Sequence, residues 1–117
     1  INECSLWGYL VREPVLRKTK NDVSVTTLRL KTYDMKKVGE GWEETNTQYH
    51  DVVVWGSKAE ACCASFREGA PIMAKGVLKT RSHEKDGTKR YNTEVHASHV
   101  AYAEDPSYGD YIKEHAA

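Results

Sequence analysis

The stretch QYHDVVVWGSKAE, residues 48–60, decides the fold of this chain. Its centre, DVVVW, is a short run of β-branched and aromatic residues closed by Gly56, the pattern of a buried strand. Ser57 and Glu60 then form an S-x-x-E capping box, in which each side chain satisfies the other residue's free backbone donor. Ala59, Cys62, Cys63 and Phe66 fall at i, i+3, i+4 and i+7, one apolar helical stripe. Gly69 stops that helix and Pro71 prevents a restart. A strand over about 47–55 therefore runs directly into a helix. Tyr49 and Trp55 are six residues apart on the strand, and the even spacing puts both rings on one face, roughly 20 Å apart at ~3.3 Å per residue.

Outward from this block the chain alternates. A first strand spans about 3–12 and stops before Pro14. A second spans about 22–33, with Leu28 and Leu30 facing one way and Arg29, Lys31 and Tyr33 the other. Val23 and Val25 have the opposite parity, which predicts a bulge or bend near Thr26–Thr27. Residues 34–46, with Gly39, Gly41 and an isolated Trp42, read as a polar loop. A fourth strand over 72–83 offers Ile72, Ala74, Gly76, Leu78 and Thr80 to a core, and Lys75, Lys79, Arg81 and His83 to the other side. Residues 84–89 form a turn centred on Asp86-Gly87, and a fifth strand follows over 90–102. Five strands with one helix between the third and fourth is the layout of an OB-fold, an all-β five-stranded barrel. SH3-like barrels and other α+β folds stay open on the pattern alone. The OB-fold domain is expected over 1–102. A short acidic tail over 103–117, with Pro106 and Gly109 and no periodicity, is expected to be loosely ordered.

With 117 residues, one domain with one core is expected. No apolar run is long enough for a bilayer and no signal-peptide pattern opens the chain, so no membrane role is expected. The chain begins at Ile1 rather than Met, which suits a trimmed or processed form. Cys4, Cys62 and Cys63 have no metal-type spacing, and adjacent helical cysteines diverge, which points to a reducing, intracellular setting. Net charge is zero, but residues 101–117 hold four acids against Lys113 alone, leaving residues 1–100 at +3. A mildly basic body is compatible with a polyanionic ligand.

Aromatic faces set among lysines and arginines suit a single nucleic acid strand, whose bases stack and whose phosphates need cations. A buried strand also carries Trp or Tyr for packing. The shared face and the neighbouring basic strands favour stacking at Trp55 and Tyr49. Trp7 and Tyr9, on one parity of the first strand, are assigned to packing or a subunit interface. Trp42, flanked by glycines, is a candidate to order on a ligand. Arg29 and Lys31 lie on the strand that forms an OB-fold's binding face, and make a better pair than Lys79 and Arg81. Lys36, Lys37, Lys85, Lys89 and Arg90 belong to loops. The histidines do not assemble: His96 and His99 differ in parity, and His50 faces away from Tyr49. No triad, metal set or phosphate-cradling loop is present, so neither catalysis, nor a cofactor, nor a metal is expected.

Four blocks carry a resemblance to the bacterial-type single-stranded DNA-binding proteins. They are GYL-x3-P at 8–14, YHDVVVWGSKAE at 49–60, REGAPIMAKGVLKTR at 67–81 and DGTKRYNTEV at 86–95, in order and at the family's spacing. The resemblance implies an OB-fold, usually a homotetramer with a dimer also open, that wraps single-stranded DNA without sequence preference and without catalysis. It implies work in replication, recombination and repair, in the cytoplasm at the nucleoid, with replication or repair proteins as further partners. Tyr49 stands where the family usually has a tryptophan, Trp55 at the aromatic before Gly-Lys, and His83 where a tryptophan often follows T-R-x. Either Tyr33 or Trp42 supplies the aromatic after the second strand. Family members commonly end in a linker and an acidic tip with terminal Pro-Phe; YIKEHAA here implies either a trimmed tail or a variant without that recruitment mode. Three alternatives are an OB-fold primosome or plasmid accessory acting mainly through protein partners, a single-stranded RNA binder, and an OB module that binds no nucleic acid.

Overall fold

Two long hairpins dominate the molecule, and the rest of the chain closes around their bases. A computed structural model describes residues 1–103. The strands are β1 (Cys4–Leu10), β2 (Arg17–Lys18), β3 (Ser24–Val38), β4 (Gly41–Trp55), β5 (Pro71–Lys85) and β6 (Thr88–Tyr102), with helix α1 (Ser57–Ser65) between β4 and β5. The sheet order is β1-β5-β6-β4-β3-β2. β1 also bonds β3 through Tyr9↔Lys31 and Leu10↔Leu30, so the strand order returns to its start. The described chain is thus mostly β with one helix, as expected. It has six strands rather than five, because Arg17 and Lys18 pair with Val25 and Ser24. Two residues are too few for a periodicity to reveal. The expected tail, from Glu104 onward, lies outside the described residues.

The core takes one face of each strand. Leu10, Leu28, Leu30, Val52, Val54, Ile72, Ala74 and Val95 are buried together, and α1 adds Ala59 and Cys62, with Phe66 just beyond it. Burial pushes the Cys62 thiol up to about 11, with Cys63 a smaller contributor. All three cysteines are free.

Four expectations need correction. Residues 34–46 are not a loop: β3 and β4 continue as an antiparallel ribbon to a turn at Gly39, whose φ is +62°. This ribbon projects beyond the core, so neither face is apolar and no alternation appears. The backbone ladder holds it instead, with pairing that runs from Asp34↔Thr45 to Val38↔Gly41. Secondly, pairing is unbroken from Val25↔Trp55 to Thr32↔Gln48, so no bulge lies at Thr26–Thr27. Val25 faces outward but is buried between Arg17 and Trp55, its neighbours across the sheet. The irregularity falls at Tyr33, which faces both Asn46 and Thr47, with Asn46 at φ +52°.

Thirdly, no capping box forms. Gly56, at φ +70°, is the N-cap, and no side chain caps the helix. The Gly56 N–H is held by the Ser24 carbonyl at 2.7 Å, so the helix starts one residue early and Ser57 sits inside the first turn. The helix also ends at Ser65, four residues before Gly69, where extended backbone at Phe66 turns that ring into the core. Finally, Ile72, Ala74 and Gly76 are buried as expected, whereas Leu78 and Thr80 are exposed. From there β5 and β6 run out as a second arm to the Asp86-Gly87 turn.

Candidate nucleic-acid interface

Register decides which side chains share the outer face. Leu28, Leu30, Val52 and Val54 point into the core, so Val25, Thr27, Arg29 and Lys31 of β3 point outward with Tyr49, Asp51, Val53 and Trp55 of β4. The expected shared face for Tyr49 and Trp55 is therefore present, and Tyr49 is 51% and Trp55 40% exposed. Trp42 is seven residues from Tyr49, an odd spacing that would put it on the opposite face of a regular strand. The bulge at Asn46–Thr47 absorbs one residue, and Trp42 pairs with Lys37 on the same face as Lys31 and Tyr33. Both Tyr33 and Trp42, posed as alternatives from sequence, thus join this face. Tyr33 also lies nearly parallel to Tyr9, centroids 6.3 Å apart, and Tyr9 meets Trp7 edge-on at 5.3 Å. Those two rings of β1 abut the face, and the Trp7 indole N–H donates to the Ala103 carbonyl at 2.7 Å.

The second arm joins through the parallel pair Val53↔His96, which puts His96 outward with Val77, and with them Glu94, Lys79, Arg81 and His83. Arg81 reaches the Trp55 neighbourhood. Together with Arg17, Lys18, Thr19, Val25, Val53 and Glu94, these two side chains line a cleft of about 390 Å³. A second cleft of about 290 Å³ shares Arg17, Thr27 and Glu94 with it and adds Arg12 and Asp51. Lys79 stands opposite Glu94, and His83 lies farther out opposite Arg90; neither lines these two clefts.

The cations are held by acids that sequence reasoning did not pair with them. Arg29 bonds Asp51 at 2.8 Å, Lys31 bonds Glu44 at 2.9 Å, and Arg81 bonds Glu94 at 2.8 Å. Arg29 also lies over the Tyr49 ring at 5.4 Å, and Lys31 over Tyr33 at 5.3 Å. Each cation is aimed before any ligand arrives, and each is partly neutralised by its carboxylate. Arg17 differs, since its guanidinium donates to the Thr27 hydroxyl at 3.3 Å. Arg17 and Lys18 were missed because a two-residue strand leaves no pattern. The basic run RKTK at 17–20 was the available signal.

His50 lies on the inner side of β4, with Nε2 2.8 Å from the Thr32 hydroxyl. Burial chiefly, and then the Arg29 guanidinium, hold its pKa below the ordinary 6.5, against a smaller opposing pull from Asp51. The unfolded chain takes up a proton near the ordinary value while the folded chain resists it. His50 therefore contributes stability that is full above that value and lost as pH falls through the lowered one. His50→Gln should show a smaller drop in Tm than the parent on acidification from neutral pH. Equal drops across a pH series of thermal melts would remove His50 as the cause.

Among the described residues, no three His, Cys, Asp or Glu side chains converge as a metal site. Nor is any helix there long and apolar enough to cross a membrane.

The chain matches the single-strand binding protein family over residues 1–103. It belongs to that family. Among similar members, "Single-stranded DNA-binding protein" of Clostridium tetani is 35% identical over 89% of this chain and 71% of its own length. "Single-stranded DNA-binding protein 1" of Chlorobaculum tepidum is 33% identical over 81% of this chain, and the match spans 60% of that protein. A crystal structure titled as the small single-stranded DNA-binding protein from Streptomyces coelicolor superposes with a TM-score of 0.74 over 92% of this chain and 96% of that one. At 21% identity that likeness speaks for the fold alone. Within the family's sequence match, the outer face described above holds the aromatic and cationic side chains.

Proposed function

We propose that this chain binds single-stranded DNA without general sequence preference across the outer face of β3 and β4, continuing to the Trp55 cleft. The observation that carries this is Tyr49 and Trp55 exposed on one face, flanked by Arg29, Lys31, Arg17 and Arg81. Bases stack on rings whatever their identity, and cations follow the backbone. Duplex DNA hides its base faces and is left with charge attraction alone, so the single strand is preferred. Tyr33 and Trp42 extend the path along the β3–β4 arm, and Lys79 and His83 along the other. The chain binds rather than transforms its ligand. We read the closed strand order, with one helix before β5, as an OB-fold barrel in which β2 is a short addition, forming one domain over 1–102 followed by the acidic tail.

Such a protein covers exposed strands during replication, recombination and repair, in the cytoplasm at the nucleoid. Half-exposed Met73 and Tyr102 border an apolar furrow between α1 and β6. That furrow suits a subunit interface, in keeping with a homotetramer or dimer, which light scattering would separate.

Tryptophan fluorescence titrated with an oligo-dT strand and its duplex, at low and high salt, tests the main reading. Quenching by the single strand that weakens with salt is expected; no response to either ligand would sink it. The carboxylates beside the cations set how strongly each cation contributes to the salt dependence. Arg17→Ala with Lys18→Ala should lower the slope of log affinity against log salt by about 1.4, at ~0.7 for each phosphate left without its cation. Neutralising Arg29 and Lys31 should lower it less, because Asp51 and Glu44 already offset them. Equal slopes for the two double variants would contradict that ranking.

A further inference from the structure

A carboxylate stands where a polyanion is expected to pass. Glu94 lines both clefts, one of them walled by Trp55, and its side chain is 14% exposed. Arg81 Nε forms an ion pair with it at 2.8 Å and His96 Nε2 lies 3.2 Å away, and both contacts end on Oε1. Oε2 is left for another donor. It is not sealed in, since no fully buried side-chain oxygen or nitrogen among the described residues lacks a partner. Around it the cleft offers a stacking wall in Trp55, the His96 ring 6.3 Å from that indole, and two arginines, Arg17 and Arg81.

We propose that Glu94 Oε2 reads the Watson–Crick edge of the base stacked on Trp55, favouring bases that carry an exocyclic amine. This rests on the single-strand reading above. A phosphate is repelled at Oε2, whereas the N4 amine of cytosine or the N6 amine of adenine donates to it. Thymine and uracil place carbonyl O4 at the position of that amine, where two acceptors face each other, and offer the carboxylate only an N3–H flanked by two carbonyl oxygens. Splayed single-stranded bases expose these edges, as duplex bases do not. Arg81, held by Oε1, takes the flanking phosphate, so a single carboxylate aims the cation and selects the base. Binding stays sequence-tolerant along the rest of the face and acquires a composition bias at this one subsite.

The test compares equal-length dC and dU oligonucleotides at neutral pH and fixed salt, on the parent and on Glu94→Gln. The amide keeps the volume, and it donates to uracil O4 where the carboxylate cannot. The ratio Kd(dU)/Kd(dC) should fall by about fivefold or more in Glu94→Gln, the loss of one charge-assisted hydrogen bond. Glu94→Ala should lower the same ratio while its melting curve reports whether the fold survives. An unchanged ratio, however far both affinities move, overturns the proposal and leaves Glu94 as a positioning residue for Arg81. If the parent binds neither oligonucleotide, the single-strand reading falls and the proposal with it.

Discussion

Trp55→Ala weakens binding of an unstructured oligo-dT strand by roughly 5- to 150-fold, the ~1–3 kcal/mol of one stacked base. The indole is well placed for this. It closes β4, is 40% exposed, and forms a wall of the cleft that holds Arg17 and Arg81. The main buried cluster draws on Val52 and Val54 of the same strand rather than on the indole, which covers only Val25 across the sheet. The melting temperature should therefore change little. No charge is removed either, so the salt slope should match the parent's. Anisotropy of a labelled strand at several salt concentrations reads both affinity and slope. A folded variant that keeps parental affinity would mean that the bases do not stack on Trp55, and the path along this face would have to be redrawn.

Gly76→Ala should cost stability on the order of 3 kcal/mol, the upper end for overpacking. Between Lys75↔His99 and Gly76↔Ala97 the β5–β6 register shifts, and β6 crowds onto Gly76. A Cβ there would sit 2.1 Å from the His96 carbonyl oxygen and 2.8 Å from the Ala97 Cα, both backbone atoms that cannot rotate away. β6 would have to shift, and it carries Val95 in the core, Glu94 at the cleft and His96 beside Trp55. At about 4–8 °C per kcal/mol for a domain of this size, Tm should fall by roughly 12–24 °C. Thermal unfolding at matched protein concentration is the readout, and a drop of only a few degrees would show that β6 yields freely. Because the displaced strand bears Glu94, DNA affinity should fall with stability. Trp55→Ala separates the two.

How much could be read in advance depended on whether a face was buried. Leu28 and Leu30, Val52 and Val54, and Ile72 and Ala74 alternate because one side of each pair's strand packs the core. Their strands were legible to within a few residues. Where a ribbon leaves the core that signal vanishes. Residues 34–46 then look like a loop although they are paired throughout, and Leu78 looks like core although it is exposed. Arg17 and Lys18 were illegible for another reason, since a strand of two residues has no period.

The sequence by itself determined the β-rich fold with its single helix, the shared face of Tyr49 and Trp55, and the basic parity of Lys79, Arg81 and His83. Those are local properties: alternation along one strand, or a turn residue such as Gly87, needs no knowledge of distant segments. Only the tertiary structure decided that Trp42 joins the aromatic face, because a one-residue bulge at Asn46–Thr47 inverts parity and nothing near Trp42 announces it. It alone paired Arg29 with Asp51, Lys31 with Glu44 and Arg81 with Glu94, partners 13 to 22 residues apart. And it alone brought Glu94 and Arg17 to Trp55, because cross-strand register converts sequence distance into contact, and register is a property of the assembled sheet.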